Sequence, residues 1–255
     1  MDDSLFELRN TGSFLLTGCP KLDNFLRGGI CRKGITQIYG KSGIGKTQLA
    51  LQLCITAQIS SDNFNDFGGA AYICTESPFP SNRLHELINK INLKTKYPIS
   101  NEMIFIEHIS NSEDLKNCIY NPRRLPNLLS HYNIKLLVID SIAATFRVEY
   151  DSVYLQNRAK SLRNIGYRLQ KLSSIYNMAI ICINQVTALV ETSSINVSTT
   201  ELPSLGITWA SMITNSLYMF RQNGHRFLHI TGSPYLPCQT IEYEILDSGI
   251  IVKNT

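Results

Sequence analysis

The segment GKSGIGKT, at residues 40–47, has the spacing of glycine, lysine and threonine that binds nucleotide phosphates. Its glycines would let the backbone curl so that successive N–H groups point at phosphate oxygens. Lys46 would reach the terminal phosphates, and the hydroxyl of Thr47 would bind Mg²⁺. A glycine turn that only caps a helix is the alternative, but a strand-like segment before the loop and a helix-like one after it favour the phosphate site. The expected lining consists of Gly40, Lys41, Ser42, Gly43, Ile44, Gly45, Lys46, Thr47 and Gln48.

Three polar residues follow other strand-like segments of the chain. Asp140 ends LLVID, where a carboxylate would complete the Mg²⁺ site of a phosphate-loop enzyme. Glu76 follows AAYICT and could deprotonate the water that attacks the γ-phosphate. Gln185 follows AIICI and could contact that phosphate. Each residue alone could be a surface group or a cap, but ligands bind at the carboxyl ends of parallel strands, so their shared position predicts one site.

The elements that would position these residues alternate along the chain. Apolar segments of strand length alternate with amphipathic ones, which predicts an α/β fold with a mostly parallel central sheet and helices on both faces. After residue 208 strand follows strand, in SLYMF, RFLHI, IEYEI and GIIV, which predicts an antiparallel C-terminal extension. The earlier predicted strands are 34–39, 70–75, 103–107, 136–140 and 179–183. The predicted helices are 46–59, one that begins at Ser81, and a long one after LLVID whose apolar face extends from Leu155 to Ile175.

Composition limits the class of protein. The chain has 255 residues, enough for one large domain, and its 44% hydrophobic and 17% charged residues exclude a disordered chain. A net charge of +4 permits nucleic acid as a partner without requiring it. Seven cysteines without a C-x-x-C pair predict small buried residues in a reducing compartment. Without a signal peptide or an apolar run of about 20 residues, we expect a soluble intracellular protein with no membrane partner.

The motifs GKSGIGKTQ, YICTE, LLVIDS and INQV, in this order, resemble those of the RecA-like recombinases of eukaryotes and archaea. The resemblance extends over nearly the whole chain, from TGCPKLDNFLRGGI at residues 17–30 to SPYLP at residues 233–237. Within that family, IFIEH, DSIAATFR, CINQVT and SLGITWA are similar to segments of the recombinase paralogues. The resemblance implies a RecA-like P-loop ATPase core that binds ATP and Mg²⁺.

The resemblance also implies roles for residues at matching positions. Lys46, Glu76 and Gln185 would be catalytic. Glu76 would be the base that activates water, and Gln185 would report the γ-phosphate to the segment after it. Thr47 and Asp140 would hold Mg²⁺.

Two further residues match family segments that contact a nucleotide. Arg83, in SNRL, matches an arginine near the adenine, although it could also be a solvated charge in the first turn of a helix. Pro234, in SPYLP, matches a segment that covers the ATP of a neighbouring subunit, although a proline there could also form an ordinary turn. The second match implies assembly through an interface that contains the nucleotide.

The second of the two segments that bind DNA in the recombinases, here 187–206, departs from the family pattern. It is rich in serine and threonine, contains Glu191 and Glu201, and lies in a stretch without lysine or arginine between Lys171 and Arg221. Proteins normally bind the DNA backbone through several lysine or arginine side chains, and they stack unpaired bases on aromatic side chains. We therefore expect a mobile linker here, and weak DNA binding by the chain alone.

The first DNA segment contains Arg147 and Tyr150 but lacks the glycine-arginine-glycine stretch of active recombinases. The helix after it could offer a phosphate-binding surface or only a solvated face, through Arg158, Lys160, Arg163, Arg168 and Lys171.

The match to the family leaves a short N-terminal segment. We expect a tail at 1–16 and an ATPase core at 17–255, with neither the N-terminal helical domain nor the docking linker of full recombinases. Either the protein is naturally abbreviated or the chain is a fragment or isoform.

These observations together predict an ATP-binding recombinase paralogue in homologous-recombination repair of DNA double-strand breaks. It would form a heterodimer or larger complex with another recombinase paralogue and support filament assembly by the main recombinase, in the nucleus or also in the cytoplasm. Its ATPase activity would be weak and DNA-dependent. The alternative is a self-sufficient strand-exchange recombinase, which the cation-poor second segment and the short N-terminus disfavour. A P-loop kinase would need an arginine-rich lid, and the segment after INQV has no arginine.

Overall fold

A computed structural model describes residues 13–59, 67–92, 99–146, 152–193 and 196–253, and its central element is a nine-stranded sheet. The apolar segments found in the sequence supply the inner strands, and several of these are buried along their whole length. In chain order the strands are β1 (Phe14–Leu15), β2 (Ile30–Cys31), β3 (Ile35–Tyr39), β4 (Gly69–Cys74), β5 (Ile104–His108), β6 (Ile134–Asp140), β7 (Ala179–Asn184), β8 (Val186–Ser193), β9 (Asn196–Pro203), β10 (Asn215–Gln222), β11 (His225–Gly232), β12 (Thr240–Leu246) and β13 (Gly249–Val252).

The strand order of the central sheet is β13, β12, β11, β10, β3, β7, β6, β4, β5. Every neighbouring pair from β10 to β5 is parallel, whereas the pairs from β10 to β13 are antiparallel. β3, which precedes the phosphate loop, lies between β10 and β7 in the middle of the sheet. This topology confirms the predicted fold class, including the antiparallel extension.

Helices cover both faces of the sheet. One hydrophobic core joins α1, α2 and α3 to one face, and a second joins α4, α5, α6 and α7 to the other. In the second core the buried indole N–H of Trp209 donates to Gln37 of β3 at 3.0 Å, which satisfies a polar group that burial would otherwise penalise. In chain order the helices are α1 (Pro20–Phe25), α2 (Lys46–Thr56), α3 (Ser81–Asn92), α4 (Ser112–Tyr120), α5 (Leu125–His131), α6 (Ser152–Tyr176) and α7 (Gly206–Ala210).

The parallel register brings the carboxyl ends of four strands to one edge of the sheet. Tyr39 of β3 pairs with Asn184 of β7, and Asp140 of β6 pairs with Ile183 on one side and Cys74 on the other. Residues that follow these strands are therefore close in space although they are far apart in sequence. This edge is where the fold places ligands.

The prediction of a mobile linker after β7 was wrong. Strands β8 and β9 form an antiparallel hairpin that is paired from Val186 with Pro203 to Ser193 with Asn196. Valine and threonine, which are enriched in β-strands, occur repeatedly in this segment and favour extended backbone. Arg147, Tyr150 and residues 1–12 lie outside the described part of the chain.

The cysteines agree with the interpretation of small buried residues. All seven are free thiols. Five of them are buried, namely Cys19, Cys54, Cys74, Cys118 and Cys182. None of the described helices is long and apolar enough to span a bilayer.

Candidate nucleotide-binding site

The phosphate loop connects the end of β3 to the start of α2. Gly40 and Gly45 have φ angles of 153° and 117°, which lie in the region where a Cβ is unfavourable. Space is also limited, because a Cβ at Gly40 would lie 2.1 Å from the carbonyl oxygen of Met219 in β10. The glycine spacing seen in the sequence therefore reflects both backbone angle and close approach to the neighbouring strand.

Strand β12 packs behind the loop and fixes its position. The buried hydroxyl of Tyr243 donates a hydrogen bond of 2.7 Å to the carbonyl oxygen of Ile44. Burial raises the pKa of Tyr243, so the hydroxyl keeps its proton and remains a donor. At Gly45 a Cβ would lie 2.7 Å from Ile245 Cδ1. The antiparallel extension thus supports the loop that the parallel strands present.

The side chain of Lys46 folds over the loop. Its ammonium donates to the carbonyl oxygens of Gly40 at 2.6 Å and Lys41 at 2.8 Å. Burial lowers the pKa of Lys46, and the negative charges of Asp140 and Glu76 act in the opposite direction.

Thr47 and Asp140, both predicted as Mg²⁺ ligands, are in direct contact. The hydroxyl of Thr47 donates to Asp140 Oδ2 at 2.8 Å, and the hydroxyl of Tyr72 donates to the same oxygen at 2.7 Å. Mg²⁺ is bound by oxygen ligands and commonly takes one or two from the protein, with phosphates and waters supplying the others. Both side chains carry oxygen atoms that could bind Mg²⁺, Thr47 from the first turn of α2 and Asp140 from the end of β6. A phosphate on the loop would lie next to them.

The carboxylate of Glu76 is held by two side chains. Gln185 Nε2 donates to Glu76 Oε1 at 3.0 Å and to Oε2 at 2.8 Å. Ser141, the residue after the β6 aspartate, donates from its hydroxyl to Glu76 Oε2 at 3.2 Å. The structure therefore brings Glu76 and Gln185 together, as their positions at strand ends predict.

One cavity of about 630 Å³ joins these groups, a volume within the range typical of small-molecule sites. Its lining includes the loop residues Gly40 to Gly43 and Gly45 to Gln48, together with Glu76, Asp140 and Gln185. Ile44, which belongs to the predicted lining, is buried behind the loop instead. The predicted acidic residues and the phosphate loop thus face one volume at the edge of the sheet.

Comparison with protein families shows what kind of phosphate-loop protein this is. The family model described as Rad51 matches residues 9–253. The chain belongs to the Rad51 family. The resemblance to RecA-like recombinases seen in the motifs is confirmed, and so is the core fold that it implies.

Individual relatives of this Rad51-family chain are DNA repair and recombination proteins. It is 38% identical to "DNA repair protein XRCC3" of Bos taurus over 270 residues, which cover 97% of this chain and 79% of the relative. It is 31% identical to the XRCC3 homolog of Arabidopsis thaliana, in a match that covers 97% of this chain and 96% of the relative. It is 28% identical to the meiotic recombination protein DMC1 of Saccharomyces cerevisiae, in a match that covers 96% of this chain and 72% of the relative. The predicted similarity to a recombinase paralogue is confirmed.

Arg83 of the Rad51-family core does not line the cavity. Its Nε donates to Gln48 Oε1 at 2.9 Å and its Nη2 to the carbonyl oxygen of Leu246 at 2.7 Å, while Nη1 pairs with Glu86 at 2.8 Å. Because Gln48 does line the cavity, Arg83 is one contact removed from it. Its proximity to an adenine stays a prediction.

Pro234 is exposed and also lies outside the cavity lining. Its segment is fixed by Ser233, whose hydroxyl donates to Asn215 Oδ1 at 2.7 Å and accepts the backbone N–H of Leu236 at 3.1 Å. An ordered, exposed segment could contact a neighbouring subunit, but the contact with that subunit's nucleotide stays a prediction.

Sequence reasoning missed several contributors to the site, among them Tyr72, Ser141 and Tyr243. Tyr72 could have been found, because a tyrosine inside an apolar strand usually needs a partner for its hydroxyl when it is buried. Nothing in the local sequence distinguishes Ser141 or Tyr243, since their contacts depend on how distant strands are placed.

Proposed function

We propose that this Rad51-family chain is an ATP-binding recombinase paralogue that acts in a heteromeric complex in homologous-recombination repair of DNA double-strand breaks. It would support assembly of the main recombinase filament on DNA in the nucleus. Relatives named as DNA repair and meiotic recombination proteins support this function. The observation that carries the proposal is the cavity in which the phosphate loop, Asp140 and Glu76 converge.

ATP would bind with its phosphates against the loop. Lys46 would exchange the carbonyl oxygens of Gly40 and Lys41 for phosphate oxygens. Thr47 and Asp140 would hold Mg²⁺, which neutralises part of the charge on the triphosphate.

Glu76 would act as a general base. In hydrolysis the water oxygen attacks the γ-phosphorus, the bond between that phosphorus and the oxygen of the leaving ADP breaks, and Glu76 takes a proton from the water. Gln185 donates to both carboxylate oxygens and so orients them. We expect turnover to change when DNA or a partner moves the hairpin that begins after Gln185, because such a movement would also change the orientation of Glu76.

The DNA contacts of the chain would be weak without a partner. Of the five cations of α6, Arg168 is engaged with Tyr120, with its guanidinium carbon 5.5 Å from the ring centroid. Lys160, Arg163 and Lys171 are exposed and could contact phosphates. Three cations contribute only a modest part of the affinity of typical DNA-binding proteins, so a second subunit would have to supply the rest.

Complementation in cells that lack their own XRCC3-like paralogue tests this function. The wild-type chain is expected to restore survival after double-strand breaks. K46A is not expected to restore survival, because it lacks the ammonium that would bind the terminal phosphates. K90A, which changes an exposed lysine of α3, serves as the matched control. Full repair by a K46A protein that no longer binds ATP would exclude the nucleotide role.

A self-sufficient recombinase is the second candidate, and the joint presence of Glu76, Asp140 and Gln185 in one cavity favours it. Strand exchange by the purified chain alone would make it the better description. ATP hydrolysis stimulated by single-stranded DNA, and not by a small metabolite, would separate both candidates from a kinase.

A further inference from the structure

The side chain of Lys41 links the phosphate loop to the hairpin β8–β9. Its ammonium lies 2.5 Å from Glu201 Oε1. Glu201 belongs to β9 and pairs across the hairpin with Ala188 of β8. The other strand begins next to Gln185, which contacts Glu76. Both strands at the base of the hairpin are therefore tied to the nucleotide cavity, each through a different contact.

Glu201 is the fixed member of its ion pair. Its second carboxylate oxygen accepts a hydrogen bond of 2.8 Å from the hydroxyl of Tyr218 in β10. The Tyr218 ring stacks against Tyr39 and Phe220, with centroid distances of 4.9 and 5.0 Å. The Glu201 side chain is 16% exposed, whereas that of Lys41 is 74% exposed. The sheet thus holds Glu201 in place, and Lys41 is the partner that can move.

The electrostatics allow the pair to be broken by a nearby anion. Burial raises the pKa of Glu201, but hydrogen bonds from Lys41 and Tyr218 outweigh burial and lower it, so the carboxylate is charged at neutral pH. An ion pair in which one partner is so exposed contributes little to the free energy of folding. Lys41 also lines the nucleotide cavity. A triphosphate on the loop would offer several negative charges to the same ammonium, and Coulomb attraction grows with charge.

We propose that Lys41 exchanges between Glu201 and the phosphates of a bound nucleoside triphosphate, and that this exchange loosens the base of the β8–β9 hairpin. The inference rests on the proposed nucleotide binding and gives the Lys41 side chain a positioning role for the hairpin. Coupling between two sites is reciprocal. The Glu201 charge must therefore weaken triphosphate binding by the same factor by which triphosphate weakens the ion pair.

Two single variants with opposite expected effects test the exchange. Glu201→Gln keeps an acceptor for Tyr218 but removes the charge that holds Lys41, so it should bind a fluorescent non-hydrolysable ATP analogue with Mg²⁺ about 3-fold more tightly. Lys41→Met should bind it about 3-fold more weakly. In the Lys41→Met background, Glu201→Gln should have no effect, because the two residues act through one contact. Lys90→Met, on exposed α3, should match wild type.

Hydrogen exchange of the β8–β9 amides gives an independent readout. Saturating analogue should speed exchange at the hairpin base in wild type and speed it clearly less in Lys41→Met, where no ion pair remains to be broken and only the contact between Gln185 and Glu76 can respond. If wild type does not bind the analogue, the proposed function itself fails. If wild type binds it but both variants shift affinity in the same direction, or if the hairpin of Lys41→Met responds as wild type does, the exchange is excluded.

Discussion

Tyr72 and Asp140 lie on the neighbouring parallel strands β4 and β6 and are joined by a hydrogen bond of 2.7 Å from the tyrosine hydroxyl to Oδ2 of the aspartate. The tyrosine is buried, and its ring packs edge-to-face on Phe79 with the centroids 5.0 Å apart. Burial and the Asp140 charge both raise the pKa of Tyr72, so the hydroxyl remains a donor. Because Thr47 donates to the same oxygen, two hydroxyl groups together orient the carboxylate that we propose for Mg²⁺.

Tyr72→Phe should weaken Mg²⁺ binding without removing the nucleotide site. Residues behind a metal ligand typically change metal affinity 10- to 100-fold when they are replaced, and we expect about 10-fold here because Thr47 still contacts Asp140. The measurement is a Mg²⁺ titration of ATP-analogue binding, with affinity in the absence of Mg²⁺ expected to be unchanged. Y167F, on the exposed face of α6, is the control. Identical Mg²⁺ dependence in Y72F and wild type would contradict an orienting role.

The fold and the main site residues could be predicted because they depend on local patterns. An apolar run such as 136–140 must be buried on both faces, and the observed strand Ile134–Asp140 extends it by two residues at its start. Parallel strands then carry the residues after them to one edge, which is why Glu76 and Asp140 face the same cavity. No knowledge of individual contacts was needed for that step.

The missed contacts join residues that are distant in sequence. Tyr72 and Asp140 are separated by 68 positions, and Tyr243 and Ile44 by 199. Such contacts depend on the order of strands in the sheet, which periodicity does not specify. The hairpin was missed for a different reason, since the segment was judged by its lack of DNA-binding residues and the strand preference of its valines and threonines was not considered.

Glu76→Gln should abolish hydrolysis while it preserves nucleotide binding. The amide keeps the size of the side chain but cannot take the proton of the attacking water, and a general base typically contributes 10²- to 10⁴-fold. Phosphate release in a single turnover, with protein in excess over ATP, should fall about 100-fold or more. E102Q, at an exposed position, provides the matched control. Retention of the wild-type rate by E76Q would remove Glu76 from its proposed role.

Gly40 and Gly43 offer a matched test of why the phosphate loop needs glycine. Both have positive φ, 153° and 74°, but a Cβ at Gly40 would lie 2.1 Å from Met219 O whereas a Cβ at Gly43 meets nothing within 4 Å. Gly40→Ala should lower the free energy of unfolding by about 2–5 kcal/mol, through strain and overlap together. Gly43→Ala should cost only about 1–2 kcal/mol. Urea denaturation measures both, and equal losses would show that steric overlap at Gly40 has no effect.

Arg124 anchors α4 to the edge strand β5, and its removal should reduce stability without affecting nucleotide binding. Its Nη1 lies 2.5 Å from Asp114 Oδ1, and its Nε donates to Glu107 Oε1 at 2.8 Å. The second oxygen of Glu107 accepts from the buried thiol of Cys118 at 3.0 Å, so an alanine at 124 would leave a partly buried carboxylate without its cation. The Arg124 side chain is 22% exposed, and those of Glu107 and Asp114 are 38% and 37% exposed. We therefore expect R124A to lower the free energy of unfolding, measured by urea denaturation, by about 1–3 kcal/mol.

Two further variants distinguish geometry from charge in this cluster. R124K keeps the positive charge, but a lysine lacks the planar guanidinium that contacts both carboxylates. It should therefore recover less than half of the free energy of unfolding that R124A loses. R123A, which changes the exposed neighbour, should leave stability unchanged. Because none of the residues bonded to Arg124 lines the nucleotide cavity, ATP-analogue affinity should be the same in all three folded variants. A drop in that affinity for R124A alone would mean that the β5 edge is coupled to the phosphate loop through β4 and the rest of the sheet.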